Sequence, residues 1–245
     1  MEHVRAGPAP LVTLSLFGFR GWGKAWAFAQ MGLARPALAR TEGLRFWKLL
    51  GSGQGRAFSL APDLGRYGLL AVWESPEAAE RFFGGARVMA AYRRRAYEAW
   101  TVRLRPSRAH GAWSGSNPFL PLSGALASGG PVAVLTRATL RLTRMRGFWR
   151  HAAPATRALD GAEGLLASIG IGESPFLHQA TFSLWRSAAD VQAYAYKHPA
   201  HQEAIRRTRQ DGWYAEELFA RFEPVGSEGT WHGRDPLAGL LTAGR

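Results

Sequence analysis

Apolar positions along the chain show one succession of patterns twice. Val12–Phe19 and Val132–Leu140 are runs of apolar and β-branched residues, which predicts buried strands. Each run leads into apolar residues at helical spacing, over Trp22–Arg40 and Thr143–Asp160. A second strand then enters a glycine-rich turn, FWKLLGSGQG in the first half and LLASIGIGES in the second. A third strand ends at Trp73 or Trp185, and a longer helical stretch follows, Pro76–Ala99 or Ala188–Asp211. The last strand is Trp100–Arg105 or Glu217–Glu223.

The order β-α-β-β-α-β, read twice, is that of the ferredoxin-like unit. Residue identities support the duplication. Residues 98–119 and 216–237 align without gaps, matching Glu98, Arg103, Pro106, Gly111, Trp113, Gly115 and Pro118 to Glu216, Arg221, Pro224, Gly229, Trp231, Gly233 and Pro236. The expected fold is therefore α+β, with tandem ferredoxin-like repeats forming a pseudo-symmetric dimeric α+β barrel. Residues 1–119 form the first repeat, the small-residue stretch 120–131 the linker and 132–245 the second repeat. The glycine cluster GSGQG precedes a strand and recurs as GIGES, so it reads as a strand connection and not as a phosphate cradle.

Composition narrows the function classes. No apolar run reaches the roughly 20 residues of a membrane span, and the N-terminus lacks the apolar region of a signal peptide. A cytoplasmic protein is expected. The chain has no cysteine, which excludes disulfides, Cys-ligated zinc, iron–sulfur clusters and thiolate-ligated haem. The formal charge is +13, carried by arginine apart from Lys24, Lys48 and Lys197. No nucleic-acid motif accompanies it, so an anionic membrane surface or an acidic redox partner fits better than nucleic acid.

The halves differ most in KHPAHQEAIRR, 197–207. Aligning VMAAYRRR with HQEAIRRT sets Ala91, Arg93 and Arg94 against Ala204, Arg206 and Arg207, and Val88 against His201. Pro199 suits the first helical position, leaving His198 at the cap and His201 in the first turn. The positive helix end disfavours imidazolium there and keeps the ring neutral, as a metal ligand must be. A solvated helix start is the other reading of the same residues. A lone H-x-x-H lacks the ligands of structural zinc, and Glu203 points away from a facial iron triad. One histidine suffices for haem iron, with arginines to pair with the propionates.

Long stretches of the chain resemble the spheroidene monooxygenase family, the acyclic carotenoid 2-ketolases. They include WAFAQMGLARPALAR (26–40), GLRFWKLLGSGQGRAF (43–58), AVLTRATLR (133–141), IGIGESPFLHQATFSLW (169–185), RQDGWYAEELFARF (209–222) and GTWHGRDPL (229–237). The resemblance implies a haem b monooxygenase that oxidises the C2 methylene of an acyclic carotenoid to a ketone, with O2 and ferredoxin electrons. A homodimer and peripheral contact with the inner membrane are compatible with it. KHPAH also resembles the haem-ligand segment of aldoxime dehydratases, where the second histidine of HPxH is the axial ligand; this implies His201 here. His151, on the first helix of the second repeat, is the rival axial residue, because another haem branch of this fold carries its ligand there.

The remaining site residues carry two readings each. His178 shares a strand face with Phe176, Ala180, Phe182 and Leu184. It is a candidate catalytic distal group or a hydrogen-bonded core histidine. Arg206, Arg207 and Arg209 are candidates for the propionates or a solvated basic face, and Trp213 walls the haem pocket or packs in the core. Two other functions follow from the same residues: a haem dehydratase of aldoxime-like N–O substrates, and a non-enzymatic basic module for membrane or nucleic acid.

Overall fold

The fold was analysed in a computed structural model, which describes residues 9–55, 61–124, 129–145, 147–150, 159, 161–174, 176–197, 203, 206–208 and 210–241. The first half comprises β1 (Leu11–Gly18), α1 (Trp22–Leu33), α2 (Arg35–Ala39), β2 (Leu44–Gly53), β3 (Pro62–Trp73), α3 (Pro76–Gly85), α4 (Arg87–Arg95) and β4 (Glu98–Gly111). The second comprises β5 (Val132–Leu140), β6 (Leu165–Ser174), β7 (His178–Trp185), α5 (Ala188–Lys197) and β8 (Tyr214–Gly229). Helical backbone also occurs at 145, 147–150, 203, 206–208, 210 and 211.

The strands close into an antiparallel barrel in the order β1-β3-β2-β6-β7-β5-β8-β4. The halves meet at two seams. β2 pairs with β6 at Gly51↔Gly172 and Ser52↔Ile171, whereas β4 and β8 pair from Trp100↔Gly229 to Gly111↔Leu218. Alternation along the strands separates two layers. Val12, Leu14, Leu70, Val72, Leu135, Ala180, Phe182, Leu184 and Phe222 fill the barrel, and the outward residues of the first half form a second core beneath its helices.

The expected strands and first-half helices are present, with three differences; residues 151–158 and 160 of the expected helix Thr143–Asp160 and 198–202, 204, 205 and 209 of Ala188–Asp211 lie outside the described residues. Trp22–Arg40 is two helices meeting at Ala34, before Arg35-Pro36, where proline suits a new helical start. Pro76–Ala99 is broken at Ala86, whose extended backbone follows Gly84-Gly85, a pair that weakens a helix end. The last strands run beyond Arg105 and Glu223. Pairing within each half stops at Leu104↔Val12 and Phe222↔Ala133. The continuations begin at Pro106 and Pro224, poor strand formers, and are held by the other half.

Each continuation ends in a loop that plugs the barrel. Gly111 and Gly229 have φ of 85° and 83°, and a Cβ there would strike the carbonyl oxygens of Glu217 and Ala99. A glutamate near the start of each last strand then binds the opposite loop: Glu216 accepts from Gly115 N at 2.8 Å, and Glu98 from Gly233 N at 2.7 Å. The glutamates, glycines and tryptophans that reveal the repeat are thus the parts of a reciprocal clasp between halves.

Candidate functional site

Strand register allows the halves to be compared face by face. Counted back from Trp73 and Trp185, the pair Leu49↔Leu69 of the first half corresponds to Gly170↔Thr181 of the second. Trp47↔Ala71 corresponds to Ser168↔Ser183, and Phe17↔Tyr67 to Ala138↔Gln179. All lie on the outward face, under the helical layer. In the first half that layer is filled by rings: Phe17 lies 4.9 Å from Tyr92, Trp26 5.2 Å from Tyr92 and Phe19 6.1 Å from Tyr67, centroid to centroid. The second half has given up this bulk. Thr181 Oγ1 is buried there without a hydrogen-bond partner among the described residues, which costs about 1–3 kcal/mol unless something else meets it.

The outward face of the second half is thus built of smaller side chains, and Ala138, Ser168, Gln179 and Ser183 on it are buried. Replacing a buried leucine by alanine leaves a void costing about 2–5 kcal/mol, so several such replacements approach the whole stability of a domain. At its end stands an aromatic wall of Phe148, Trp213 and Leu140, with Met145, Trp149 and Tyr214 against it. Phe148 meets Trp149 at 5.1 Å and Trp213 at 5.8 Å. Trp149 Nε1 is a second buried donor without a partner.

The residues expected at the site fall in different places. His151, His198, His201 and Arg209 lie outside the described residues. Trp213 is buried in the aromatic wall. Arg206 is exposed and ion-paired to Glu203 at 2.6 Å, with a hydrogen bond to Gln210 at 2.9 Å, and Arg207 bonds Glu203 at 2.8 Å. Hydrogen bonds from Arg207 and Arg206 hold the Glu203 carboxyl below the usual range. His178 shares the inward face with Ala180, Phe182 and Leu184, at the barrel's end, and its Nδ1 lies 2.9 Å from Ser174 Oγ. The barrel wall therefore separates His178 from the cleared face, and the structure does not bring it together with Trp213.

A buried ionic cluster occupies the same end of the barrel. Arg137, only 4 % exposed, bonds Glu216, approaches Glu173 to 3.6 Å and lies over the Trp113 ring. Glu173 also accepts from Lys48 Nζ and Trp113 Nε1, both at 2.7 Å. Burial pushes the Glu173 carboxyl up, but hydrogen bonds from Lys48 and Trp113 and the charges of Lys48 and Arg137 outweigh it and hold it low. Burial likewise raises Glu216, and the amides of Gly115 and Ser114 with Arg137 reverse it. Opposite charges and hydrogen bonds to both carboxylates account for tolerance of these charges in an apolar barrel, although Arg137 Nε is buried without a hydrogen-bond partner among the described residues. Among the described residues no group of three or more His, Cys, Asp or Glu could hold a metal ion.

No family model matches the chain. Whole-chain comparison is decisive instead. The chain is 38% identical over 231 residues to the spheroidene monooxygenase of Rhodobacter capsulatus, covering 94% of this chain and 96% of the relative. The chain belongs to the spheroidene monooxygenase family. It is also 40% identical over 211 residues to the spheroidene monooxygenase of Rubrivivax gelatinosus, covering 86% of this chain and 80% of the relative. Among solved structures, an aldoxime dehydratase in complex with butyraldoxime shares the fold, with a TM-score of 0.55, 13% identity and coverage of 96% of this chain and 88% of that one. A second aldoxime dehydratase gives a TM-score of 0.53 at 14% identity, covering 91% of this chain and 87% of that one.

In this member of the spheroidene monooxygenase family, the described residues of the second half fit a flat apolar cofactor. Gly170, Ala138 and Thr181 are smaller than Leu49, Phe17 and Leu69 at the matching positions, the aromatic cluster stands at the end of β5, and Thr181 Oγ1 and Trp149 Nε1, without partners among the described residues, could supply polar contacts. The sequence reading missed this face because it compared helices and not strand positions. Setting AVLTRATL against VTLSLFGF and HQATFSLW against RYGLLAVW reveals the loss of bulk.

Proposed function

We propose that the protein is a haem-dependent monooxygenase that oxidises the C2 methylene of an acyclic carotenoid, or a similar apolar substrate, to a ketone with O2 and ferredoxin electrons. Family membership supports the reaction. The observation that carries the cofactor is the cleared outward face of the second half. Val88, the counterpart of His201, packs against the first-half core beneath α4. His201 is the sequence counterpart of Val88, and the strand positions matching Leu49 and Leu69 of the core that Val88 packs on are Gly170 and Thr181. A neutral imidazole in a first helical turn is suited to hold iron from that side.

Haem, when bound, supplies the iron that activates O2. The chain's own residues do the rest. The small strand residues would admit the ring, Trp213 and Phe148 would exclude water beside it, and Arg206, now paired with Glu203, would be available to a propionate. The dehydratase alternative rests on a fold shared at 13% identity and on the HPAH segment.

An absorption spectrum of the purified protein supplemented with haem tests the cofactor. A Soret band is expected, lost in His201→Ala and kept in His151→Ala and His178→Ala; the reverse pattern moves the ligand to His151. Absence of the band in the unaltered protein sinks the haem reading and leaves the basic binding module. Incubation with an acyclic carotenoid, ferredoxin, its reductase and O2 tests the reaction. Oxygenated product that requires both O2 and reductant is expected; turnover of an aldoxime without either favours the dehydratase.

A further inference from the structure

The strongest feature outside the site is α1, WGKAWAFAQMGL. A helix this apolar is normally buried all round. Here Ala27 is its one buried residue. Trp22, Ala25, Phe28, Ala29, Gly32 and Leu33 fall on one face by helical spacing, and all six are exposed. Trp22 is 92 % exposed, Phe28 66 % and Leu33 70 %, and Leu64 beside them is 56 % exposed. A contiguous apolar patch of this kind marks an interaction surface.

Its surroundings specify the partner. From Leu11 to Thr41 the chain has no Asp or Glu, while Arg20, Lys24, Arg35 and Arg40 stand before, within and after the helix. An apolar face with an aromatic residue at its end and a basic fringe fits the boundary of a bilayer that carries anionic headgroups. A protein partner with an apolar groove would not need the one-signed fringe. No helix among the described residues is long and apolar enough to cross a membrane, so contact through this face would be peripheral.

A cavity of about 230 Å³ opens beside the patch. Phe28, Met31 and Leu64 line it on the helix side, and Tyr67, Gly172 and Gln179 on the sheet side. Gly172 and Gln179 also lie on the outward face of β6 and β7, two residues along from Gly170 and Thr181. The cavity thus joins the exposed helix to the edge of the candidate site across the β2–β6 seam.

The geometry points to α1 as a membrane-docking face that seats the protein on an anionic lipid surface, with the adjacent cavity turned toward the bilayer to receive an apolar substrate. The purpose, but not the docking itself, rests on the carotenoid reading above. Burying three large side chains adds apolar attraction, and the fringe adds an electrostatic part that salt weakens.

Flotation of the full chain with lipid vesicles tests the inference. Binding to mixed phosphatidylcholine–phosphatidylglycerol vesicles is expected, weaker on phosphatidylcholine alone and weaker at high salt. The triple variant Trp22→Glu/Phe28→Glu/Leu33→Glu is expected to bind at least about tenfold less. Its melting temperature and haem spectrum should match the unaltered protein, since the three side chains project outward. Three results overturn the inference: no flotation of the unaltered chain, equal flotation of the variant, or a solution dimer that the variant dissociates, which would assign the face to a second copy. Flotation needs neither cofactor nor turnover, so failure of the haem reading and failure of docking are separate outcomes.

Discussion

Refilling the cleared face is the most direct perturbation of the candidate site. The double variant Gly170→Leu/Thr181→Leu restores on β6 and β7 the leucine pair that the first half carries as Leu49↔Leu69. Both positions have strand backbone and face outward, so the new side chains enter the space over the sheet. A buried leucine truncated to alanine loses about 2–5 kcal/mol. Two restored leucines should therefore return about 4 kcal/mol or more to the haem-free protein and remove an unpaired Thr181 hydroxyl. At about 2–4 °C per kcal/mol for a chain of this size, the melting temperature should rise by about 8–16 °C. Haem should lose its place, with affinity weakened by about a hundredfold or more, equivalent to about 2.7 kcal/mol. Differential scanning calorimetry of the haem-free protein and a Soret titration read the two effects. Had the space been filled by side chains of the protein, overpacking would instead lower stability by about 1–3 kcal/mol. A destabilised variant that takes up haem as well as the unaltered protein refutes the open face.

Three further outcomes follow from the barrel. Gly111→Ala and Gly229→Ala should each destabilise by about 2 kcal/mol or more, by a positive φ and a clash with a carbonyl oxygen, as read from the urea midpoint. Glu173→Gln should cost about 3 kcal/mol in thermal unfolding, because Lys48 and Arg137 lose the charge between them. The Glu173 and Glu216 carboxyls lie below their ordinary values in the folded chain, so the stability they add is complete above the usual carboxylate range. It is lost as pH falls through the folded values, and Glu173→Gln should flatten that part of the acid-unfolding curve.

Much of the fold was legible because the chain states it twice. Strand runs, helical spacing and the recurrent Glu, Pro, Gly and Trp positions specify two β-α-β-β-α-β units without reference to tertiary contacts. The sequence also marks the second half as the different one, through His201 opposite Val88. Local pattern failed at Pro106 and Pro224, where strand continues against propensity because the partner is in the other half. It also failed to separate His178 from the expected haem side, since alternation assigns a face without saying whether that face lines a barrel or lies beneath helices.

The sequence by itself therefore determined the repeat, the element order and the histidine-bearing segment, which depend on spacing within one stretch of chain. Tertiary structure decided barrel closure, the reciprocal clasp of Glu98 and Glu216, and the burial of Arg137 between two carboxylates. It also decided that Gly170, Thr181, Ser168 and Ala138 share one cleared face. Those residues are unremarkable small side chains in separate strands, and only their register, set by backbone hydrogen bonds across the sheet, gathers them on one face.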